Sequence, residues 1–377
     1  MVGMAHHTEK SKEVIIVGAG VVGLVTAEDL ARKGVEVTVY DSKRRVEEGA
    51  NKASGILSNS GLQETGLEYD NAKVNVLRGA VLHAGKEMLK VKSKKDMAFV
   101  LDREKLVRTC FNKAREAGAR IILNRRVSKE ELRAWSNEGK IIVGADGPVS
   151  TVASTFGFPQ IGEYVLTYKK EYENAFVEDK EMVGLFFNSR IYRFFGWSVP
   201  YSESKVELGI GISSRAKKSS TKAFEEFTNE EEISRIIKDA SAGAGYASVI
   251  PLSTREKTVI GNVLLVGDAA GQVKATTGGG IIFGALCAKE ASNAISASLE
   301  HDMPLENYEK LWRKRYGREL KRHAMLHEYY SSLSTKGFER LFKMARLFGI
   351  DDFLSNYGDM DRPGRIIKRF FLRGLAK

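Results

Sequence analysis

The chain has 377 residues and a formal net charge of +11, with 43% hydrophobic and 28% charged residues. This composition is typical of a globular protein and excludes a largely disordered one, and the length favours two domains with an appendage. No run approaches the roughly 18 uncharged apolar residues that a membrane-spanning helix needs. Because Met1 to Glu13 also lacks the apolar centre of a signal peptide, we expect a cytoplasmic protein.

The two cysteines, Cys110 and Cys287, lie far apart in the sequence. They form no metal-binding spacing, and a disulfide framework is not expected. Each lies among apolar residues of a predicted helix. We therefore expect both to be buried as small hydrophobic side chains, and we expect no metal site.

The positive charge is concentrated toward the C-terminal end. From His301 onward, seventeen Lys and Arg accompany ten Asp and Glu, and residues 362–377 hold six Lys and Arg and no acid. Apolar residues recur in 362–377 at helical spacing, which favours peripheral contact with an anionic membrane, on the inner face of the cell membrane. The alternative is an amphipathic helix packed on its own domain. No nucleic-acid-binding motif is present in the sequence, so no nucleic-acid partner is expected, and the oligomeric state stays open.

The apolar pattern predicts alternating strands and helices, then a sheet, then a helical end. Continuous apolar runs indicate strands buried on both faces, and alternation indicates an antiparallel sheet. The predicted elements are a strand, turn, helix and strand at 13–41, short strands at 74–100 with a turn at Gly85-Lys86, a helix at 104–117, strands at 121–123 and 141–143, an antiparallel sheet at 160–253 with a helical insert near 220–240, a strand at 263–267, a helix at 278–298 and a mostly helical stretch at 305–350.

The run from Gly18 to Gly23 has the spacing G-x-G-x-x-G at the junction of the first strand and helix, and it includes Val22. Gly18 permits a tight turn, Gly20 lets the backbone approach a pyrophosphate, and Gly23 allows the helix to pack closely on the strand. Asp41 ends the second strand, where a carboxylate can accept from ribose hydroxyls. These residues predict binding of FAD or NAD rather than NADP. A glycine-rich turn in another kind of α/β domain is the alternative.

A second segment brings an acid to the end of an apolar strand. The strand at 141–143 leads into Asp146-Gly147. This segment alone is typical of an ordinary strand exit. It indicates a cofactor site only in combination with the first and third segments.

A third segment repeats this arrangement closer to the C-terminus. The strand at 263–266 leads into Gly267-Asp268-Ala269, at the place where ligands of open α/β sheets bind. The carboxylate can accept from ribityl hydroxyls. The run Gly278-Gly279-Gly280-Ile281 then opens a helix whose N-terminus can face the N1–C2=O edge of a flavin and favour its reduced state. A strand, turn and helix without a ligand is the alternative.

In this order and spacing the three segments resemble the p-hydroxybenzoate hydroxylase-like superfamily of FAD oxidoreductases. The resemblance implies the α/β class, with an α+β second domain. The implied parts are a split Rossmann-like FAD-binding domain (1–73, 98–159 and 254–300), an antiparallel-sheet substrate domain (74–97 and 160–253) and a C-terminal helical, basic region (301–377). The sequence has only one G-x-G-x-x-G run, so a second nucleotide domain for NAD(P)H is not expected.

The segment from Leu101 to Leu106 resembles the superfamily's arginine segment, which contacts the flavin cofactor. By this resemblance Arg103 is expected to reach the FAD pyrophosphate. The alternative is a solvated arginine at the start of a helix.

A further motif narrows the resemblance. Phe195, Trp197 and Pro200 lie in an aromatic-x-Trp-x-φ-Pro run, and eight residues separate this run from the Gly-x-Gly motif of Gly209 and Gly211. This resembles the signature of archaeal-type geranylgeranyl reductases of membrane lipid biosynthesis, the digeranylgeranylglycerophospholipid reductase-like family, which saturate isoprenoid double bonds. The resemblance implies substrate contacts at these five residues.

A prenyl chain needs an apolar tunnel. The expected aromatic lining is Phe186, Phe187, Tyr192, Phe194, Phe195 and Trp197. The alternative for about half of these rings is that they fill the core of the sheet.

Two departures from that family are visible. Its members commonly carry a Cys-Gly-containing turn after the second strand, where this chain has Asn51-Lys52-Ala53-Ser54-Gly55 with no cysteine. Ala275 replaces the proline that usually precedes the glycine-rich turn. Reduction of an alkene by hydride from reduced FAD also requires a proton. No residue stands out as the acid, and Lys52, Ser54 and an ordered water are the candidates.

Three functions are therefore considered. The favoured one is an FAD-dependent reductase acting on isoprenoid lipid, with NAD(P)H or reduced ferredoxin as the electron donor. An FAD monooxygenase acting on an aromatic or polyketide ring with NAD(P)H and oxygen shares the flavin segments. A non-catalytic basic flavoprotein on an anionic surface represents a different class.

Overall fold

The computed structural model describes residues 13–188 and 191–366. Within them the strands are β1 (Glu13–Val17), β2 (Glu36–Tyr40), β3 (Ile56–Ser58), β4 (Lys73–Leu77), β5 (Gly79–Ala84), β6 (Glu87–Lys92), β7 (Ala98–Leu101), β8 (Arg120–Ile122), β9 (Ile141–Gly144), β10 (Tyr164–Glu173), β11 (Met182–Phe186), β12 (Gly196–Pro200), β13 (Lys205–Ser213), β14 (Ser241–Pro251), β15 (Val259–Ile260) and β16 (Val263–Leu265). The helices are α1 (Val21–Arg32), α2 (Asn59–Thr65), α3 (Arg103–Glu116), α4 (Lys129–Asn137), α5 (Thr151–Thr155), α6 (Ser220–Thr228), α7 (Glu231–Ile236), α8 (Ile281–His301), α9 (Glu306–Trp312), α10 (Arg318–Ser331), α11 (Thr335–Leu347) and α12 (Ile350–Tyr357).

A six-stranded sheet in the order β15-β16-β9-β1-β2-β8 forms the centre of the first half. All its neighbouring strands run parallel except β15 and β16. The central strands are buried, which explains their continuous apolar sequence. Helices α1, α3 and α8 pack together over this sheet in one apolar core. The predicted strand–helix–strand unit at 13–41 and the predicted fold class are confirmed.

A seven-stranded sheet in the order β14-β10-β13-β12-β11-β5-β6 forms the second half. It is antiparallel except for β5 and β11, which run parallel. The sequence predicts an entirely antiparallel sheet, and this pair is the exception because a long connection, rather than a hairpin, separates the two strands. β4 pairs instead with β7 in a three-stranded sheet with β3, so the larger sheet begins at Gly79.

The two faces of the seven-stranded sheet differ. On one face, Leu208, Ile210 and Ile212 of β13 pack against Phe224 and Phe227 of α6. Side chains alternate along a strand, so Glu207, Gly209 and Gly211 lie on the other face. That face forms one wall of the cavity described below.

The C-terminal helices complete the described chain. The predicted helical stretch at 305–350 consists of α9 to α12, and a π-helical turn at Arg313–Gly317 joins α9 to α10. No helix among the described residues is long and apolar enough to span a bilayer. Most of the basic segment 362–377, from residue 367 on, lies outside the described residues.

Both cysteines are buried, as the sequence predicts. Burial raises the pKa of the Cys110 thiol to about 12 and raises that of Cys287 as well. Neither thiol is therefore reactive at neutral pH.

Candidate active site

One cavity of about 1290 Å³ lies between the six-stranded and seven-stranded sheets, and all three flavin segments contribute to its lining. Single small-molecule sites occupy roughly 300–1,000 Å³, so this volume suits a cofactor together with a substrate. The predicted residues that line it are Gly18, Gly20, Asp41, Lys52, Ser54, Arg103, Asp146, Gly147, Phe195, Trp197, Asp268, Gly278, Gly279, Gly280 and Ile281. The remaining predicted residues lie behind this lining, at Val22, Gly23, Pro200, Gly209, Gly211, Gly267 and Ala269.

The turn between β1 and α1 is packed tightly against the end of β9. Gly18 has φ +110°, and a Cβ there would lie 2.3 Å from the carbonyl oxygen of Ala145. A Cβ on Gly23 would lie 2.0 Å from the carbonyl oxygen of Gly18. At Gly20, by contrast, a Cβ would meet no protein atom within 4 Å. Gly20 thus leaves open the part of the cavity beside the N-terminus of α1, where backbone N–H groups favour an anion.

Val22 explains how the first and third segments approach each other. Its side chain lies 3.1 Å from the position of a Cβ on Gly267 and 2.6 Å from that on Gly284 of α8. The two glycines therefore let α1 contact the turn after β16 and the start of α8. Val22 acts through packing and does not line the cavity.

Asp41 follows β2 and holds the glycine-rich turn from the other side. Its carboxylate accepts from the backbone N–H of Ala19 at 2.6 Å and of Lys43 at 2.9 Å. A carboxylate has about four lone-pair positions. Lys43 Nζ also lies 3.5 Å from Oδ2 in an ion pair, and the positions that accept no hydrogen bond from the described chain are open to the hydroxyls of a ribose.

Asp146 is engaged within its own turn. Its carboxylate accepts from the Ser150 hydroxyl at 2.6 Å and from the Val152 backbone N–H at 3.1 Å, so it fixes the start of α5. Burial raises its pKa despite these bonds. Gly147 follows with φ +80°. The segment thus shapes the turn against which Gly18 packs.

Arg103 and Asp268 are partly buried groups of opposite charge that line the cavity. Arg103 begins α3, after the N-cap Asp102, and its Nε is buried without a hydrogen-bond partner within the described chain. Burial lowers the pKa of Arg103 and raises the pKa of Asp268 to about 6, and in each case the charge of the other residue opposes the shift. A buried orphaned donor costs free energy unless a ligand satisfies it.

The start of α8 closes the same end of the cavity. Gly280 is the N-cap, and a Cβ on it would lie 2.4 Å from Oδ1 of Asp268. Gly278, with φ +76°, and Gly279 precede it in the lining. The positive end of this 21-residue helix therefore lies beside the cavity.

These features fit a flavin dinucleotide. The orphaned Arg103 Nε and the N-terminus of α1 suit a pyrophosphate, and the open space at Gly20 leaves room for it. The free positions on Asp41 suit a ribose. The start of α8 suits the electron-rich edge of an isoalloxazine ring.

The opposite wall is apolar and aromatic. Phe194, Phe195 and Trp197 line the cavity, and the rings of Phe194 and Phe195 stack with centroids 4.3 Å apart. The indole of Trp197 lies over Gly209, where a Cβ would come 2.2 Å from the ring, and a Cβ on Gly211 would come 2.4 Å from the ring of Phe194. The two glycines thus contribute by accommodating the rings.

Three other aromatic residues do not line the tunnel that the sequence predicts. Phe186 packs against Phe227 beneath the sheet, and Phe187 stacks on Phe338 of α11. Tyr192 is exposed. Pro200 lies behind the wall, where its carbonyl accepts from Asn75 at 2.8 Å.

Sequence reasoning missed a buried polar cluster in this wall. The side chains of Lys169 and Glu207 are 3% and 0% exposed, and their Nζ and Oε2 atoms are 2.6 Å apart. Ser54 and Trp197 also donate to Glu207. The only sequence signal was a charged residue at an inward position of a strand, and that required knowing which face is inward.

A second buried pair ties the C-terminal segment to the cavity. Lys274, which lines the cavity, lies 2.5 Å from Asp361, and Asp361 also accepts from Ser58. The lysine and the Ser58 hydroxyl hold the pKa of Asp361 below its usual value in spite of burial. No cluster of His, Cys, Asp and Glu suited to a metal occurs among the described residues.

Comparison with known proteins agrees with this geometry. A family model described as "FAD binding domain" matches residues 11–310, and the chain belongs to that family. It is an FAD-dependent oxidoreductase of the geranylgeranyl reductase type, as the sequence predicts.

Two relatives and one solved structure are similar to this chain over most of their length. The digeranylgeranylglycerophospholipid reductase of Methanothrix thermoacetophila is 27% identical over 364 residues, which cover 87% of this chain and 90% of that protein. An uncharacterized protein of Methanocaldococcus jannaschii is 28% identical over 370 residues, 94% of this chain and 93% of the relative. A solved geranylgeranyl bacteriochlorophyll reductase-like protein from Thermoplasma acidophilum shares the fold, with a TM-score of 0.76, 19% identity and 94% coverage of both chains.

Proposed function

We propose that this protein saturates C=C double bonds in the geranylgeranyl-type isoprenoid chains of a lipid, with FAD as its redox cofactor. The observation that carries the proposal is the continuity of the cavity. One end has the turns and orphaned polar groups that suit a dinucleotide, and the other end is lined by aliphatic and aromatic side chains. The apolar lining residues of that end are Leu82, Leu89, Val91, Val183, Leu185, Phe194, Phe195, Trp197, Val199, Val249 and Ile250.

The residues of the chain divide the work between the two ends. When bound, the cofactor supplies hydride chemistry. Arg103, with its unpartnered Nε, would hold the phosphates of the cofactor, and Asp268 and the start of α8 would lie toward its flavin part. The aromatic wall holds a prenyl chain and excludes water from the reacting bond. A long apolar chain loses no hydrogen bonds when it moves from water to this wall.

Mass spectrometry of a reduced lipid tests this function. Purified protein with FAD, reduced with dithionite under anaerobic conditions, would be incubated with digeranylgeranylglycerophospholipid in micelles. The expected product gains two hydrogens for each bond saturated. Chemical reduction makes the result independent of the natural donor, NAD(P)H or ferredoxin. A lipid of unchanged mass, with the flavin still reduced, would refute the proposal.

Oxygen uptake separates this function from monooxygenation. A monooxygenase consumes oxygen and NAD(P)H together in the presence of its ring substrate and adds oxygen to that substrate. The reductase is expected to form its product without oxygen. Substrate-dependent oxygen consumption with an oxygenated product would favour the alternative.

We further propose that the protein makes peripheral contact with an anionic membrane when it takes up its lipid. At the end of α11, Met344, Leu347 and Phe348 are 54%, 79% and 64% exposed, and from His301 onward seventeen Lys and Arg accompany ten Asp and Glu. Apolar side chains beside cations bind such surfaces. Leu347→Glu with Phe348→Glu is expected to reduce flotation with phosphatidylglycerol vesicles at least fivefold, and unchanged flotation would exclude this surface.

A further inference from the structure

The buried polar cluster in the apolar wall has a complete set of hydrogen bonds. Oε1 of Glu207 accepts from the Ser54 hydroxyl and, at 2.8 Å, from Trp197 Nε1. Oε2 accepts from Lys169 Nζ at 2.6 Å and from the Tyr201 hydroxyl at 3.1 Å. Two donors on each oxygen occupy the capacity of a carboxylate, and one of the four is the ammonium of Lys169, which forms a buried ion pair with it.

Burying the Lys169–Glu207 ion pair in the sheet costs desolvation free energy. A buried ion pair repays its desolvation only with good geometry, and apolar residues of similar volume serve stability equally well or better. On β13 the next positions of this face are Gly209 and Gly211, and the hydroxyls of Thr167 and Ser248, which line the same wall, bond to each other at 2.9 Å. The location of the pair beside the cavity therefore suggests a chemical role.

Ser54 connects this cluster to the cavity. Ser54 and Trp197 line the cavity, whereas Lys169, Glu207 and Tyr201 do not. The backbone on either side of Ser54 is fixed, because Ala53 accepts from Lys169 Nζ at 3.3 Å and a Cβ on Gly55 would lie 2.1 Å from the carbonyl oxygen of Leu101. Both groups donate to Glu207, but the serine hydroxyl rotates about its Cβ–Oγ bond whereas the indole N–H is fixed in its ring, so the hydroxyl is the group of the cluster that can turn toward a substrate.

The other hydroxyl in the cluster is a poor source of protons. Burial and the charge of Glu207 raise the pKa of Tyr201. Tyr201 therefore stays protonated and serves as a donor that holds the carboxylate. The lysine ammonium is the remaining store of a transferable proton.

We propose that Lys169, Glu207 and Ser54 form a proton path into the cavity, and that Ser54 Oγ delivers the proton to the alkene carbon that does not receive hydride. The path rests on the proposed function. In the step, the Ser54 O–H bond breaks as the substrate C–H bond forms, an N–H bond of Lys169 breaks as its proton passes to the Glu207 carboxylate, and the O–H bond formed there breaks as the carboxyl protonates Ser54 Oγ. The protein loses one proton in total, which water restores at Lys169, while reduced FAD supplies the hydride and both electrons. Ser54 is the catalytic residue, and Glu207 and Lys169 are positioning residues that act through it.

Single-turnover kinetics test the path. In protein loaded with FAD and reduced with dithionite, Ser54→Ala is expected to slow saturation of digeranylgeranylglycerophospholipid on the order of 100-fold at saturating lipid, the usual range for loss of a general acid. KM and FAD content should stay within about twofold. Ser54→Cys retains a donor and is expected to recover at least tenfold of that rate. A rate for Ser54→Ala within threefold of the unmodified protein would overturn the proposal.

The relay is tested separately from the hydroxyl. Glu207→Gln is expected to lower the rate as much as Ser54→Ala, and the two changes together should be no worse than either alone, because they interrupt one path. Glu171→Gln is the matched control: Glu171 faces Glu207 across the β10–β13 pair but pairs with Lys205 at 2.9 Å, away from the cavity. Additive effects of Ser54→Ala and Glu207→Gln would refute a shared path. If Glu207→Gln does not fold, the combination Lys169→Met with Glu207→Gln removes both charges and serves the same comparison.

A thiol reporter tests the path without turnover. In Ser54→Cys, the native Cys110 and Cys287 are buried, so iodoacetamide should alkylate only the new thiol, located by peptide mass spectrometry. A neighbouring carboxylate disfavours the thiolate. Adding Glu207→Gln is therefore expected to speed alkylation at least tenfold at neutral pH, while adding Glu171→Gln should leave it unchanged.

The two readouts separate the failures. If the unmodified protein leaves the lipid unsaturated, the proposed function fails, and with it the transfer to an alkene, even where the thiol shows the coupling to Glu207. If the lipid is saturated but the thiol is unreactive, or its rate is insensitive to Glu207, the function stands and the path is refuted.

Discussion

The two ends of the cavity satisfy their polar groups in opposite ways. At the flavin end, Arg103 Nε has no hydrogen-bond partner in the described chain. The charge of Arg103 is what counteracts the rise that burial causes in the pKa of Asp268. At the sheet end, every position on the Glu207 carboxylate is occupied by a protein donor. The polar groups without protein partners at the flavin end are available to a ligand. The hydrogen-bonded network at the sheet end acts within the protein.

The largest effect is expected when one partner of the buried ion pair at the sheet end is removed. Lys169→Met leaves Glu207 buried without its cation, and the free energy of unfolding is expected to fall by about 3–5 kcal/mol. Adding Glu207→Gln should recover much of that loss because the uncompensated charge disappears. Urea denaturation of the FAD-free protein measures both changes.

A surface pair in the same sheet provides the control for this measurement. Lys205→Met removes a cation paired with Glu171 and Glu173, and the side chain is partly exposed. The expected loss is below about 1 kcal/mol. An equal loss for Lys169→Met and Lys205→Met would show that the buried cluster has no special place in the sheet.

At the flavin end, removing a charge should stabilise the FAD-free protein. Burial raises the pKa of Asp268 to about 6 from an ordinary value of 3.8, so between these pH values the folded state binds more protons than the unfolded state. Stability is therefore lost as pH rises through this window, by up to about 3 kcal/mol. Asp268→Asn should abolish this loss and weaken FAD binding. Thermal unfolding at pH 4.5 and pH 7.5 compares the two proteins, and parallel pH profiles would contradict the assignment.

The flavin end could be predicted because its parts are local in sequence. Gly18, Gly20 and Gly23 act through backbone shape, and Asp41 and Asp268 each end an apolar strand. Strand ends and glycine turns are visible in a sequence without knowledge of the tertiary contacts.

The sheet end could not be predicted in the same way. The run Lys169-Lys170 contains two identical side chains, and only the register of β10 against β13 places Lys169 beside Glu207. Likewise, Phe187 and Phe194 look equivalent in sequence, but α11 covers one and the cavity admits the other. A period of two assigns residues to faces and does not say what each face meets.

A change that fills only the ligand space tests the flavin end without disturbing the fold. Gly20→Val places its side chain where no protein atom lies within 4 Å of the new Cβ. FAD affinity is expected to fall roughly 100-fold, or about 2.7 kcal/mol, while the melting temperature of the FAD-free protein changes little. Gly162→Val, at an exposed glycine with equally open surroundings outside the cavity, is the control. Quenching of FAD fluorescence on titration gives both affinities, and equal affinities would place the pyrophosphate elsewhere.

The smallest expected effect tests whether each of the four donors to Glu207 contributes to stability. Trp197→Phe keeps an aromatic ring over Gly209 but removes the N–H that donates to Oε1. Loss of one hydrogen bond to a buried carboxylate is expected to cost about 1–3 kcal/mol, toward the lower end because three donors remain. Trp135→Phe is the matched control, since the Trp135 ring stacks on Tyr40 at 5.2 Å in another part of the protein. If urea denaturation shows the same change for both substitutions, the indole N–H contributes nothing to the cluster, and Glu207 is held by the three other donors alone.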